Sequence, residues 1–365
     1  MTRRVLPPSK VLGSVLAGAI GDALGGPVEF NGIDNIRKWF GPAGVTDFAQ
    51  EYGGRGKITD DTQMALFTLE GLIRAHGAQR RGVDTDVTMV LQHAYQRWYH
   101  TQNQPWNRCG GVFAERSPQP DGWLITNPAL FALRSPGKTC MSALRTFATS
   151  GKPGTVDHRV NDSKGCGGVM RAAPAAVWSD DPAEVFSLAV TTAALTHSHP
   201  SGYLSAGVLA VIVSELYDGT ELPNAILVAR DQLTRWDDHQ EQLAILDRAV
   251  DLAARKPDPE TIAEQLGGGW VGEEALAIGV CAALAADDMA SGLLMAVNHS
   301  GDSDSTGSIC GNILGAMWGI DAIPPAWLAE LELREVMERL TLDAVIEFGP
   351  MPVFDPAWYT RYPDW

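Results

Sequence analysis

The chain has 365 residues, 45% hydrophobic and 20% charged, a balance that suits a globular protein with a large core and excludes a disordered or fibrous one. A formal net charge of −16 argues against a surface built for nucleic-acid phosphates or anionic lipid, although a small positive pocket inside an acidic shell is compatible with it. Five cysteines, Cys109, Cys140, Cys166, Cys281 and Cys310, form no CxxC pair and are odd in number; they predict a reducing, cytoplasmic setting with the thiols as small core fillers.

The N-terminal stretch has two arginines, an apolar run and small residues in the manner of a secretory leader. Pro7, Pro8 and Lys10 interrupt that pattern and Asp22 falls where cleavage would occur, so residues 11–24 are read as a helix of the folded protein. Apolar residues at three and four spacing predict further helices over 60–76, 84–99, 182–196, 201–217, 221–236, 239–254, 273–286 and 306–318. Gly77, Asp218 with Gly219, and Pro257 serve as stop signals. The apolar run at 204–213 is far shorter than the ~20 residues that cross a bilayer, so no membrane partner is expected. Residues 101–138, rich in Pro, Gly, Asn and Trp, read as a long loop or lid, with Trp106 and Trp123 as packing residues. Alternating strands, internal repeats and composition breaks are absent from the pattern. The expectation is one all-α domain over 1–365, an orthogonal helical bundle.

The chemistry concentrates at two acidic stretches. In NHSGDSDSTG, Asp302, Asp304, Thr306 and Gly307 loosely fit the start of a calcium-binding loop, but the twelfth position is Ile313 where a bidentate Glu is needed, so a calcium hand is rejected. Gly307, Gly311, Gly315 and Gly319 recur every fourth residue and line one helix face, along which a second helix can approach closely. Far away, Thr59, Asp60 and Asp61 precede another apolar helix; alone they read as an N-cap with acids complementing the helix dipole. Together the two stretches supply four carboxylates and several hydroxyls. Buried carboxylates repel one another, so converging them requires cations, and an all-oxygen set selects hard ions such as Mg²⁺ or Mn²⁺.

Five segments carry a resemblance: GDALGGPVEF at 21–30, ITDDTQMAL at 58–66, GCGGVMRAAP at 165–174, THSHP at 196–200 and SGDSDSTGSICGNILGA at 300–316. In order and spacing they resemble the successive motifs of the ADP-ribosylglycohydrolase family. The resemblance implies an all-α fold with a cleft holding two divalent cations, Mg²⁺ or Mn²⁺, and hydrolysis of the bond joining ADP-ribose to an acceptor. It assigns metal ligation to Thr59, Asp60, Asp61, Asp302, Asp304 and Ser305, the last in place of the usual Thr. Glu29 matches the acidic residue that closes over the metals, and Glu29 or Asp302 would position or deprotonate water. Gly165, Gly167 and Gly168 match a phosphate and ribose loop in which Cys166 replaces an asparagine, and His197 matches a position at the substrate cleft. Arg171 is open between phosphate binding and a structural role, and His199 reads as a cap.

The expected partner is an ADP-ribosylated protein, arginine-linked by preference, or a small ADP-ribosyl compound, with nucleic acid entering only as a modified substrate and the protein acting as a monomer. Two other readings stand beside this one: a non-catalytic binding or immunity module on the same scaffold, and a hydrolase of another nucleotide-sugar.

Overall fold

A computed structural model describes residues 5–364. In chain order the α-helices are α1 (Pro8–Gly25), α2 (Ile33–Phe40), α3 (Asp60–Arg80), α4 (Val87–Thr101), α5 (Trp106–Cys109), α6 (Val112–Arg116), α7 (Lys138–Ser150), α8 (Pro182–Ala194), α9 (Pro200–Tyr217), α10 (Leu222–Leu233), α11 (Gln240–Ala253), α12 (Pro259–Leu266), α13 (Gly272–Ala285), α14 (Met289–Val297), α15 (Ser303–Trp318), α16 (Pro325–Glu330), α17 (Arg334–Phe348) and α18 (Pro356–Arg361). Among the described residues there is no β-strand, only isolated bridges such as Asn31 with Gly301 and Gly165 with Val271. The fold is all-α, and all nine helices expected from periodicity are present. Local chemistry sets several of their starts: Asp86, Asp181, Asp258 and Asp288 cap α4, α8, α12 and α14 by accepting first-turn amides, with Pro at the start of α8 and α12.

Three expectations are revised. Gly77 does not end its helix: α3 runs on to Arg80, where Arg80 and His76 both pair with the buried Glu347 of α17. The stretch 101–138 is built of α5, α6 and two 3₁₀ turns, Leu124–Thr126 and Pro128–Leu130, in place of an open loop. Its anchor is a buried ion-pair cluster in which Glu70 pairs with Arg97 and accepts the Leu124 amide at 2.9 Å, while Arg74 holds Asp121 at 2.9 Å. The last expected helix begins at Ser303, three residues early, which puts Asp304 and Ser305 in its first turn.

One large hydrophobic core joins most of the helices, and a smaller cluster, including Leu252, Ile262, Leu266 and Ile278, ties α11 and α12 to α13. The segment Pro8–Val28 is long and apolar enough to cross a bilayer, yet it is mostly buried inside the fold, as befits a core helix. Its partner is α15. A Cβ on Gly21 would stand 2.0 Å from the Gly307 carbonyl oxygen, and one on Gly311 would stand 2.1 Å from that of Ala17. The two helices therefore run antiparallel in backbone contact, a closeness that only glycine permits on these faces. The second helix that this glycine face admits is α1, whose own small residues Gly13, Ala17 and Gly21 complement it.

Candidate active site

Antiparallel packing of α1 on α15 sets the end of α1 against the start of α15. Glu29, four residues beyond α1, thereby meets Asp302 and Asp304, and one carboxylate oxygen from each of the three lies within 4.8 Å of the others. The second acidic stretch is brought in by a residue that the sequence reading gave no role. Asp22 of α1 is fully buried and accepts the Thr59 amide at 3.0 Å on both oxygens, the Thr62 amide at 3.2 Å and the Thr62 hydroxyl. It clamps the first turn of α3 and so aims Asp60 and Asp61 at the same place. A lone carboxylate in the small-residue run AGAIGDALGG was the available signal.

Asp302 caps α15 by accepting the Ser305 amide at 3.3 Å, and its own amide donates to Gly268 O at 2.8 Å. The chain reaches it through Gly301 at φ +150°, where a Cβ would collide with Gly268 O at 1.9 Å. Asp60 accepts the Gly137 amide at 3.3 Å, and Asp61 Oδ2 is buried with no hydrogen-bond partner. Without a counter-charge these groups resist ionisation. Burial first, then the charges of Asp302 and Asp60, push Glu29 up to about 9. Burial and the neighbouring carboxylates hold Asp60, Asp61 and Asp304 well above the usual range, and burial raises Asp302. Asp22, raised by burial against the pull of its hydrogen bonds, stands at about 6.

Glu29, Asp60, Asp61, Asp302 and Asp304 line a cleft of about 340 Å³. Gly165, Cys166, Gly167 and His197 also line it, held by the pairing of the 164–166 segment with 270–272, where Cys166 N donates to Trp270 O and Gly272 N donates to Lys164 O at 2.7 Å. His197 is buried; its Nδ1 meets the Thr196 hydroxyl at 2.8 Å, and burial, with the charge of Arg171, lowers it to about 3, so the ring is neutral. The mouth carries two aromatic rings, Phe30 and Trp270, stacked at 5.2 Å between centroids and both exposed, Phe30 the more so. Phe30 sits at φ +68°, a strained backbone for a bulky residue of the kind that gathers at functional sites.

Placement of the expected residues is uneven. Glu29, Asp60, Asp61, Asp302, Asp304, Ser305, Gly165, Gly167 and His197 all face the cleft. Thr59 lies behind the wall, fully buried, with its Oγ1 accepting the Asp61 amide at 3.3 Å as the N-cap of α3. Gly168 also lies behind the wall, against the start of α9, where a Cβ would stand 2.4 Å from Gly202 O. Arg171 is structural: fully buried, it donates to Gly167 O at 2.7 Å, Thr192 O at 3.1 Å and Thr196 Oγ1 at 2.7 Å, and stacks on Tyr95. It fixes the loop from beneath. His199 caps α9 through Nδ1. Trp106 and Trp123 pack away from the site, the former donating to Ser117 O at 3.0 Å.

Cys166 departs from the core-filler expectation. Its thiol lines the cleft and donates to Asp302 Oδ2 at 2.9 Å, and burial together with that carboxylate raises its pKa well above normal, so it stays a thiol. Phe30, Trp270, Lys138, Cys140 and Met170 also line the cleft without having been singled out. Phe30, adjacent to Glu29, and Met170, inside the 165–174 segment, had a positional signal in the sequence.

An all-α fold whose remote acidic helix tips converge beside a glycine loop and a neutral histidine defines a hydrolase-type cleft. The sequence profile of the family described as ADP-ribosylglycohydrolase matches residues 3–351. The chain is 26% identical over 341 residues to the ADP-ribosyl-[dinitrogen reductase] glycohydrolase of Rhodospirillum rubrum, covering 92% of this chain and 95% of that one. It is 24% identical to the ADP-ribosylarginine hydrolase Tri1 of Serratia proteamaculans, covering 91% and 77%. A solved structure described as an ADP-ribosylglycohydrolase-related protein complex superposes with a TM-score of 0.66 at 26% identity, covering 93% of this chain and 97% of that one. The chain belongs to the ADP-ribosylglycohydrolase family, and its general class of activity is ADP-ribosyl hydrolysis.

Proposed function

We propose that this protein is a metal-dependent ADP-ribosylhydrolase that cleaves the bond between C1 of ribose and an acceptor, arginine-linked by preference, in a reducing, cytoplasmic setting. The observation that carries the metal is the convergence of Glu29, Asp60, Asp61, Asp302 and Asp304 with the unpartnered buried oxygen Asp61 Oδ2. So many buried carboxylates are stable in ionised form only around cations, and an oxygen-only donor set fits Mg²⁺ or Mn²⁺. Asp60, Asp61, Asp302, Asp304 and Ser305 would hold two such ions, which supply charge for the ribose hydroxyls and acidity for a water molecule.

The remaining work falls to the chain. Cleavage at C1 leaves the sugar carbon electron-poor and the departing group electron-rich. Glu29 or Asp302 orients the attacking water and accepts its proton. The Gly165–Gly167 backbone faces the nucleotide, and His197, with Nδ1 engaged by Thr196, presents Nε2 towards the loop without adding charge. Arginine is favoured as acceptor because a guanidinium suits an acidic cleft with a flat aromatic mouth, and because one relative is named as an ADP-ribosylarginine hydrolase.

The test is release of ADP-ribose from arginine-, serine- and nucleic-acid-linked substrates with Mg²⁺, with Mn²⁺ and with chelator. Arginine-linked release that chelator abolishes is expected, and Asp304→Ala should remove it while the helical circular dichroism stays unchanged. No release from any substrate, or full activity in that variant, would refute the reading.

A further inference from the structure

Beside the cleft lies a second groove of about 610 Å³, lined among others by Leu133, Pro136, Lys138, Met141 and Arg145, and sharing Phe30, Ser135, Pro136 and Lys138 with the cleft. It is therefore an open continuation of the mouth. Its composition is unusual for a chain of net charge −16, since its walls hold two cations and no carboxylate. Many surface cations elsewhere are matched with acids, as in Arg37 with Glu260, Arg55 with Asp47 and Glu330, Lys164 with Glu241, and Arg230 with Asp247. Among the described residues neither Lys138 nor Arg145 forms an ion pair, and the guanidinium of Arg145 makes only a long contact of 3.5 Å to the Tyr99 hydroxyl. Apolar surface accompanies the charge: Leu133 is 54% exposed and Phe30 68% exposed.

Resting on the hydrolase reading above, we infer that this groove docks the polypeptide of an ADP-ribosylated acceptor, and that it selects a segment carrying a carboxylate near the modified residue. Lys138 and Arg145 stand seven residues apart on one face of α7, about 10 Å along the helix. An extended peptide spans that distance in about three residues. A modified side chain entering the cleft past Phe30 and Pro136 thus leaves its backbone in the groove, with an Asp or Glu about three positions away on Arg145 and an apolar neighbour on Leu133. Free ADP-ribosyl-arginine has no such segment and makes no use of the groove. The groove accordingly separates protein acceptors by sequence while leaving the chemistry at the acid cluster unchanged.

The experiment compares kcat/KM of the full chain on free ADP-ribosyl-arginine and on three ADP-ribosylated peptides that differ only in having Glu, Gln or Lys three positions from the modified arginine. We expect the Glu peptide to exceed the Lys peptide by about tenfold at low salt, and the gap to shrink as salt rises. Arg145→Glu should erase or reverse the order and leave the free compound within about twofold of wild type, while Arg145→Lys should keep the order. Equal rates on the three peptides, or an Arg145→Glu loss as large on the free compound as on the Glu peptide, would overturn the inference and leave the hydrolase reading standing. Failure of the wild type on all four substrates would instead remove the arginine-linked reading and the groove with it. Sedimentation provides a second check: a dimer that Arg145→Glu dissociates would assign the groove to a second copy of the chain and overturn the docking role.

Discussion

Replacing Gly21 by alanine attacks the packing from which the whole site hangs. The new Cβ would stand 2.0 Å from Gly307 O, 2.3 Å from Gly307 C and 2.9 Å from Ser308 N, all main-chain atoms that cannot rotate aside. Restoring an ordinary contact of about 3.4 Å requires α1 and α15 to part locally by about 1.4 Å. Overpacking of this kind costs about 3 kcal/mol or somewhat more when neither side can yield, which lowers Tm by about 4 °C or more in a chain of this size. The separation also moves Glu29 away from Asp302 and Asp304, whose oxygens now lie within 4.8 Å. Metal–ligand distances tolerate only about 0.2 Å, so Mn²⁺ affinity should fall with stability. Differential scanning calorimetry and Mn²⁺ titration measure both, with Gly32→Ala as control because its Cβ meets nothing nearer than Ser300 Oγ at 3.8 Å. Wild-type Tm and Mn²⁺ affinity in Gly21→Ala would refute the argument that backbone contact between α1 and α15 sets the site.

Asp22→Asn leaves the shape intact but replaces one acceptor oxygen with a donor facing the Thr59 and Thr62 amides; a loss of about 2 kcal/mol and a 10- to 100-fold weaker Mn²⁺ affinity should appear in the same titrations. In pH, Glu29 at about 9, with Asp60, Asp61 and Asp304 also raised, means that the folded state binds more protons than the unfolded one. The resulting stability is present below the unfolded carboxylate pKa near 4 and is lost as pH climbs towards 9, so with chelator Tm should fall across that window while the Tm gain from Mn²⁺ grows; a flat profile would contradict the cluster. Arg97→Ala strands the fully buried Glu70 carboxylate and should cost about 3–5 kcal/mol, with protease cleavage appearing between 117 and 127, the segment that Glu70 anchors through Leu124 N.

Helix periodicity made nine helices legible, and three-and-four spacing in Cys140, Ala143, Leu144 and Phe147 would have disclosed α7 as well. Harder to read are α14, apolar on most of its nine residues, and the turns of 101–138, which hold their shape through the remote Glu70 and Arg74. The acidic tips, the glycine ladder and the hydroxyl-rich caps are local features, written within a few residues of one another, and the sequence by itself determined them. Which face meets which was decided only by tertiary structure. The glycine ladder of α15 found α1, so that Asp22 became the clamp on the first turn of α3 and Glu29 was carried to Asp302. Thr59, Gly168 and Arg171, each within a motif, turned to the back of the wall, while Cys166, standing where the motif has an asparagine, and Trp270 and Lys138, outside any motif, turned to the front. A side chain's direction relative to a cleft depends on how helices far apart in sequence pack together, and periodicity along one helix carries no information about that.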